Sequence, residues 1–190
     1  MRPQPAPGPW TYARMLAELP AESRYEVHGG VLLDMSPSPS YAHNRISRRL
    51  ERALSRVVEA AGLGEVMHAP MDVELAPDEV VQPDLFVLLK NTQARVERHV
   101  VGPPDLVIEI VSPSSFHRDT VEKRDLYARF GVQEYWLVDP ANQYIEVNML
   151  ANGRYEAHAT ATAVADEELP TEVTSALLPE LVVRCAEIFT

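Results

Sequence analysis

Two carboxylates lie inside stretches that are otherwise almost wholly apolar. Asp84 falls within Val80-Val81-Gln82-Pro83-Asp84-Leu85-Phe86-Val87-Leu88-Leu89, and Glu109 within Leu106-Val107-Ile108-Glu109-Ile110-Val111. Short, continuous runs rich in β-branched residues read as buried β-strands. A charge in such a place costs on the order of several kcal/mol unless a cation or hydrogen bonds compensate it. Two acidic residues on neighbouring buried strands therefore point to a divalent metal between them.

The 190 residues, 46% of them hydrophobic, are enough for one domain with a sizeable core. Residues 1–9 read as a flexible proline-rich arm and residues 10–190 as a single domain. No apolar stretch reaches the ~18 residues of a membrane span, and the N-terminus lacks the apolar centre of a signal peptide, so a cytoplasmic location without membrane partners is expected. The single cysteine, Cys185, rules out an intramolecular disulfide and a cysteine-based zinc site, and reads as a small core residue. The net charge of −11 argues against indiscriminate adhesion to nucleic acid, because the summed field repels phosphate. A nucleic-acid role thus requires a local basic surface. The chain has 15 arginines and only two lysines, Lys90 and Lys123, which draws attention to where each lysine stands.

Along the chain, Thr11 to Leu19 reads as a short helix capped by Thr11. His28-Gly29-Gly30 joins two short strands in a hairpin. A long helix is expected from Tyr41 to Ala61, with Ala42, Ile46, Leu50, Ala53, Leu54, Val57 and Ala61 as its apolar stripe and Gly62 closing it. Arg45, Arg48, Arg49, Arg52 and Arg56 lie largely off that stripe. They form either a solvated face paired in part with Glu51 and Glu59, or a phosphate-contacting face, with Arg45, Arg49 and Arg52 as the contacts. His43 and His117, flanking the Ser-Pro loops, read as capping or surface histidines. Glu65 to Leu75 reads as a strand broken at Pro70, and 91–101 as a polar loop with a helical turn. A second long helix is expected from Asp119 to Phe130, with Asp119 and Glu122 as a capping box and Gly131 as its end. Strands follow at 134–138 and on both sides of Asn152-Gly153. Residues 160–180 read as irregular, and 181–189 as a last short helix.

Lys123 falls on the apolar stripe of the second helix, three residues before Leu126 and one turn before Tyr127. A lysine on the buried side of a helix needs an acidic partner or a chemical task. The helix directly follows the Glu109 strand and can aim Lys123 at the carboxylates. Asp, Glu and Lys converging on a sheet are the equipment of metal-dependent phosphodiester hydrolysis. Mg²⁺ prefers carboxylate oxygens, and a nearby ammonium stabilises developing negative charge. Pro83 removes a ladder donor and marks an edge or bulge that lets the Asp84 carboxylate reach a cleft.

These residues resemble a family. Gln82-Pro83-Asp84 followed by Glu109 is similar to the PD-(D/E)XK nuclease superfamily. More closely, RYEVHGG at 24–30, MSPSPSYAH at 35–43, VVQPDLFVL at 80–88, PPDLVIEIVSPSS at 103–115 and EKRDLYARFGVQEYWLVDP at 122–140 resemble the Uma-type restriction endonucleases of bacteria. The resemblance covers most of residues 10–150. It implies an α/β fold with a restriction-endonuclease-like core, a central mixed β-sheet flanked by helices. It also implies a Mg²⁺-dependent endodeoxyribonuclease, with Mn²⁺ as a substitute and DNA as substrate. It places Asp84, Glu109 and Ile110 at the metal, and Asp84, Glu109 and Lys123 in catalysis. The superfamily lysine expected two residues after the glutamate is Val111 here, and Lys123 is its migrated counterpart. Glu26, inside the shared RYEVHGG text, is a further catalytic carboxylate or an ordinary strand glutamate. Cutting both strands of DNA needs two active sites, so a two-fold homodimer is expected. The alternative is a catalytically weak or inactive nuclease-fold module that binds nucleic acid or protein. A third possibility is a structural oligomer whose charges simply pair.

Overall fold

The structure is a computed structural model and describes residues 8–20, 24–35, 38–113, 115–164 and 169–190. Most of the expected N-terminal arm, and Ser36-Pro37 of the first Ser-Pro loop, lie outside the described residues. Among those described, no helix is long and apolar enough to cross a membrane.

Helix α1 (Tyr12–Glu18) is capped by Thr11, whose hydroxyl accepts from the Arg14 N–H. The hairpin of β1 (Tyr25–His28) and β2 (Val31–Asp34) turns at Gly29 and Gly30, with φ of 56° and 76° that only glycine adopts without strain. Helix α2 (Tyr41–Val58) starts at Ser40, whose side chain caps the His43 N–H. Next come β3 (Gly64–His68), β4 (Val73–Ala76), β5 (Glu79–Val81) and β6 (Leu85–Leu89). The short β7 (Arg95–Val96) and β8 (Val100–Val101) pair where a polar loop with a helical turn was expected. After β9 (Leu106–Ile110), Arg118–Lys123 takes the wider π-helical winding and runs into α3 (Arg124–Phe130). Gly131, in the left-handed region, ends that helix as expected. Strands β10 (Glu134–Asp139), β11 (Tyr144–Ala151) and β12 (Arg154–Thr162) form a meander turning at Asn152-Gly153.

The last segment departs from expectation. Strand β13 (Glu172–Thr174) lies in the stretch read as irregular. It pairs with β14 (Val182–Arg184), so the final helix α4 shrinks to Cys185–Phe189. Apolar periodicity cannot distinguish a three-residue strand from the first turn of a helix.

Among the described residues there are two six-stranded mixed sheets. One runs β12-β11-β10-β9-β6-β3 and the other β2-β1-β5-β4-β8-β7. Strands β9 and β10 are parallel, and β6 and β9 antiparallel. Leu85, Val87, Leu106, Ile108 and Ile110 pack with Ile46, Leu50, Leu54 and Val58 of α2. The alternate residues Phe86, Leu88 and Val107 pack with Leu126 and Tyr127 of α3 and with Val73 and Val81 of the second sheet. The central strands are thus covered on both faces, which is why they read as continuous apolar runs instead of alternating ones.

The run around Asp84 is not one strand. It ends in the second sheet as β5 and resumes in the first as β6, with Gln82-Pro83-Asp84 crossing between them. Proline has no N–H to offer either ladder, so the break falls where the pairing partner changes. Asp84 is consequently a junction residue, part-exposed, and not the buried strand residue that the apolar run suggested.

Candidate active site

Strand register brings the two carboxylates together. Leu85, Phe86 and Val87 face Ile108, Val107 and Leu106, so the next position along the same register sets Asp84 opposite Glu109. The Ile110 N–H donates to Asp84 Oδ2 at 2.8 Å, tying the junction to the end of β9. Both carboxylates line one cleft of about 630 Å³, together with Ile110, Val111, Lys123, His43, Gln82 and Asp119.

Lys123 forms the floor. It is 1% exposed, with Nζ 2.8 Å from Glu26 Oε1 and 3.1 Å from Glu109 Oε1. Glu26 belongs to the second sheet and Glu109 to the first, so the ammonium bridges the two sheets where they meet. Glu109 Oε1 also accepts from the Tyr127 hydroxyl at 2.6 Å, one turn along the same helix. Glu26 Oε1 accepts the Gln82 N–H at 2.9 Å, so this carboxylate holds both the lysine and the strand leading to Asp84. His28 Nε2 stands 3.2 Å from Glu26 Oε2 without the alignment of a hydrogen bond. Glu26 is fully buried, and it lies behind the cleft, not on its wall.

The electrostatics follow from this placement. Burial pushes the Glu26 carboxyl up, but the Lys123 ammonium, aided by His28, wins and holds it at about 2. Burial raises Glu109 as well, and there it wins, holding the carboxyl well above the ordinary carboxylate range. Asp119, Asp84 and Glu26 add to that rise, and Lys123 only partly offsets it. Asp119 is also raised, first by burial and then by Asp84 and Glu26. Burial opposes the charge of Lys123, yet Glu109, Glu26 and Asp119 raise its pKa far enough to keep it an ammonium.

Three carboxylates, Glu109, Glu26 and Asp119, thus act on one lysine, with Asp84 beside them in the cleft. Asp84 and Glu109, facing each other on the cleft wall, are hard oxygen donors, and Asp119 on the same wall adds to a field that favours additional positive charge, which fits a divalent cation. Among the described residues no three His, Cys, Asp or Glu side chains close around a point that could hold an ion. An ion held here would therefore complete its shell with water and main-chain oxygen, as Mg²⁺ commonly does.

The structure brings Asp84, Glu109, Ile110, Lys123 and Glu26 into one constellation. Arg45, Arg49 and Arg52 lie apart from it. Arg45 donates to the Phe189 carbonyl at 3.2 Å, and Arg49 to the Ile188 carbonyl at 3.0 Å and to Thr190. Arg52 lines a separate groove against β14 and α4. Two of the three arginines expected at phosphates are therefore engaged in fastening the C-terminal helix to α2. The cations on the cleft wall are instead Arg24 and Arg118.

His43, read as a capping or surface histidine, and Asp119, read as a cap, both line the cleft as well. His43 precedes Ile46 and Leu50 by three and seven residues, so it continues the buried stripe of α2 into the cleft. Its Nε2 is 3.0 Å from Asp84 Oδ2. Asp119 lies four residues before Lys123 and shares its face. Its expected capping role is overturned, because the helical winding begins upstream and the Asp119 N–H already donates to the Ser115 carbonyl at 2.8 Å. The π-helical winding between Asp119 and Lys123 is of a kind concentrated at functional sites.

Among solved structures the chain is similar to a protein from Anabaena variabilis ATCC 29413 described as a putative nuclease belonging to DUF820. The TM-score is 0.75 at 20% identity, covering 95% of this chain and 98% of that one, a likeness of fold. No curated protein matches. The family model described as "Putative restriction endonuclease" matches residues 11–184, a span that contains every residue of the cleft constellation, and the chain therefore belongs to the Uma2 family.

Proposed function

We propose that the chain is a divalent-metal-dependent endodeoxyribonuclease. The observation that carries the reading is the register of β6 and β9. It sets Asp84 opposite Glu109 on one cleft wall while Lys123 contacts Glu109 from the floor. Asp84, Glu109 and Ile110 would hold the ion, Mg²⁺ or Mn²⁺. Bound there, such an ion supplies Lewis acidity toward a phosphate oxygen and an acidified water. Lys123 places a buried ammonium where negative charge develops during phosphodiester hydrolysis. Tyr127 and Glu26 fix the groups on either side of it. Arg24 and Arg118 offer cations to the DNA backbone in an otherwise acidic protein. One such cleft per chain serves one strand, so duplex scission would take two copies in a homodimer.

One observation favours a second reading, a module with the nuclease fold but little activity. Val111 occupies the usual lysine position, and Lys123 is already held by two carboxylates. Incubation of supercoiled plasmid with Mg²⁺ or Mn²⁺ separates the two. The nuclease reading expects nicked and linear DNA that vanishes with EDTA and with Asp84→Ala. Intact plasmid under both metals, or equal cutting by Asp84→Ala, refutes it.

A further inference from the structure

Asp84 is the exposed member of the carboxylate pair and sits on a junction between sheets, where no strand ladder fixes its side chain. Two donors fix it instead. The Ile110 N–H and His43 Nε2 both engage Oδ2, at 2.8 and 3.0 Å. His43 is held in turn by its backbone. It lies in the first turn of α2, its own N–H capped by Ser40, on the face that continues into Ile46 and Leu50. The oxygen that His43 engages also takes the Ile110 N–H, so the imidazole meets this carboxylate beside a second position proposed to hold the ion. The His43 side chain is largely buried, and among the described residues Nδ1 meets no hydrogen-bond partner, so the contact with Asp84 is the one its placement serves.

We infer that His43 is a positioning residue: it secures Oδ2 of Asp84 so that Oδ1 is presented to a divalent cation. The inference rests on the metal-site reading above. A carboxylate with one oxygen tied down has lost most of its rotational freedom before the ion arrives. Partners of this outer-shell kind are typically worth roughly 10–100-fold in metal affinity. The contribution of α2 to the site is therefore one imidazole, delivered by the same helical stripe that builds the core.

The test is Mn²⁺ binding without DNA, read from the electron paramagnetic resonance of free Mn²⁺, on wild type, Asp84→Ala, His43→Ala and His43→Gln. Circular dichroism and thermal melting confirm that each variant is folded. The Gln amide nitrogen reaches to about where Nε2 stands and restores the donor without an imidazole. The expected pattern is a roughly 10–100-fold loss of Mn²⁺ affinity in His43→Ala and recovery of most of it in His43→Gln. Unchanged or tighter binding in His43→Ala, with wild type binding and Asp84→Ala not, overturns the inference alone. Tighter binding would mean that the imidazole occupies an oxygen the metal needs. Loss in both variants also overturns it, since the imidazole would then be a ligand itself. No binding by wild type overturns the metal-site reading and this inference with it.

Discussion

Lys123→Met is the perturbation that reads the site most directly. Methionine keeps the length and apolar packing of the stem and deletes only the ammonium. In the native protein that ammonium lies 2.8 Å from Glu26 and 3.1 Å from Glu109, all three side chains being almost wholly buried. Removing it leaves two carboxylates facing each other across the sheet junction, with Asp119 and Asp84 adding to the same negative field. Stripping one partner from a buried ion pair costs about 3–5 kcal/mol, because the charge left behind is uncompensated. For a chain of this size each kcal/mol moves Tm by about 2–4 °C, so the variant should melt roughly 6–20 °C below wild type. The penalty comes from orphaned charge, so a second change should recover part of it. Glu26→Gln retains an acceptor for the Gln82 N–H but carries no charge. Lys123→Met/Glu26→Gln should therefore be more stable than Lys123→Met alone, with a coupling energy of about 0.5–3 kcal/mol in a double-mutant cycle. Urea denaturation followed by tryptophan fluorescence measures all four corners. A Lys123→Met protein within about 0.5 kcal/mol of wild type, or additive effects in the cycle, would refute this account of the buried cluster. Activity tests the second role proposed for the lysine. Metal affinity should persist while plasmid cleavage falls about 10²–10⁴-fold. Native cleavage by the folded variant would remove Lys123 from the chemistry and leave it a structural cation.

Tyr127→Phe deletes a 2.6 Å hydrogen bond to Glu109 with little change of shape, and should cost about 1–3 kcal/mol in chemical denaturation, the penalty for leaving a buried partner unsatisfied. Its failure to destabilise would show that Glu109 is turned away from Tyr127. Arg24→Gln/Arg118→Gln should weaken DNA binding uniformly across sequences and reduce the salt slope by about two contacts. By contrast, Arg45→Gln/Arg49→Gln should leave that slope unchanged and speed hydrogen exchange in α4, the helix those arginines fasten. Exchanged outcomes for the two pairs would return the phosphate-contacting role to α2.

The parts of the site legible in the sequence are those where a charge breaks a hydrophobic pattern. Glu109 in Leu-Val-Ile-Glu-Ile and Lys123 on the stripe of Leu126 and Tyr127 both declare themselves this way, and the structure places them 3.1 Å apart. His43 carried the same signal, three and seven residues ahead of Ile46 and Leu50. It was obscured because histidine beside a helix cap has an ordinary explanation. The partners of the arginine face of α2 were not legible, for the opposite reason. Periodicity shows that Arg45 and Arg49 point away from the sheet, but not that the last residues of the chain return to cover them. That contact spans more than a hundred residues, and nothing local encodes it. The π-helical winding was equally invisible, since it changes the rotation of Asp119 by one residue without altering composition.

The splitting of the Asp84 run shows why this junction is suited to chemistry. A continuous strand would bury Asp84 between helix and sheet, where its charge would need a permanent partner. A break at Gln82-Pro83 moves it to the seam between two sheets, where the cleft admits solvent while β9 still supplies the Ile110 N–H. The seam is also where Lys123 is required, because Glu26 and Glu109 come from opposite sheets and repel. The ammonium that joins the sheets is thus held by the fold itself at the floor of the cleft. Its position needs no reorganisation when a substrate arrives, which is the condition under which a fixed charge is most effective. Under the proposed nuclease reading, stability and turnover share one contact. Variants that loosen the sheet junction at Glu26 should impair turnover through Lys123 even though Glu26 itself never reaches the cleft.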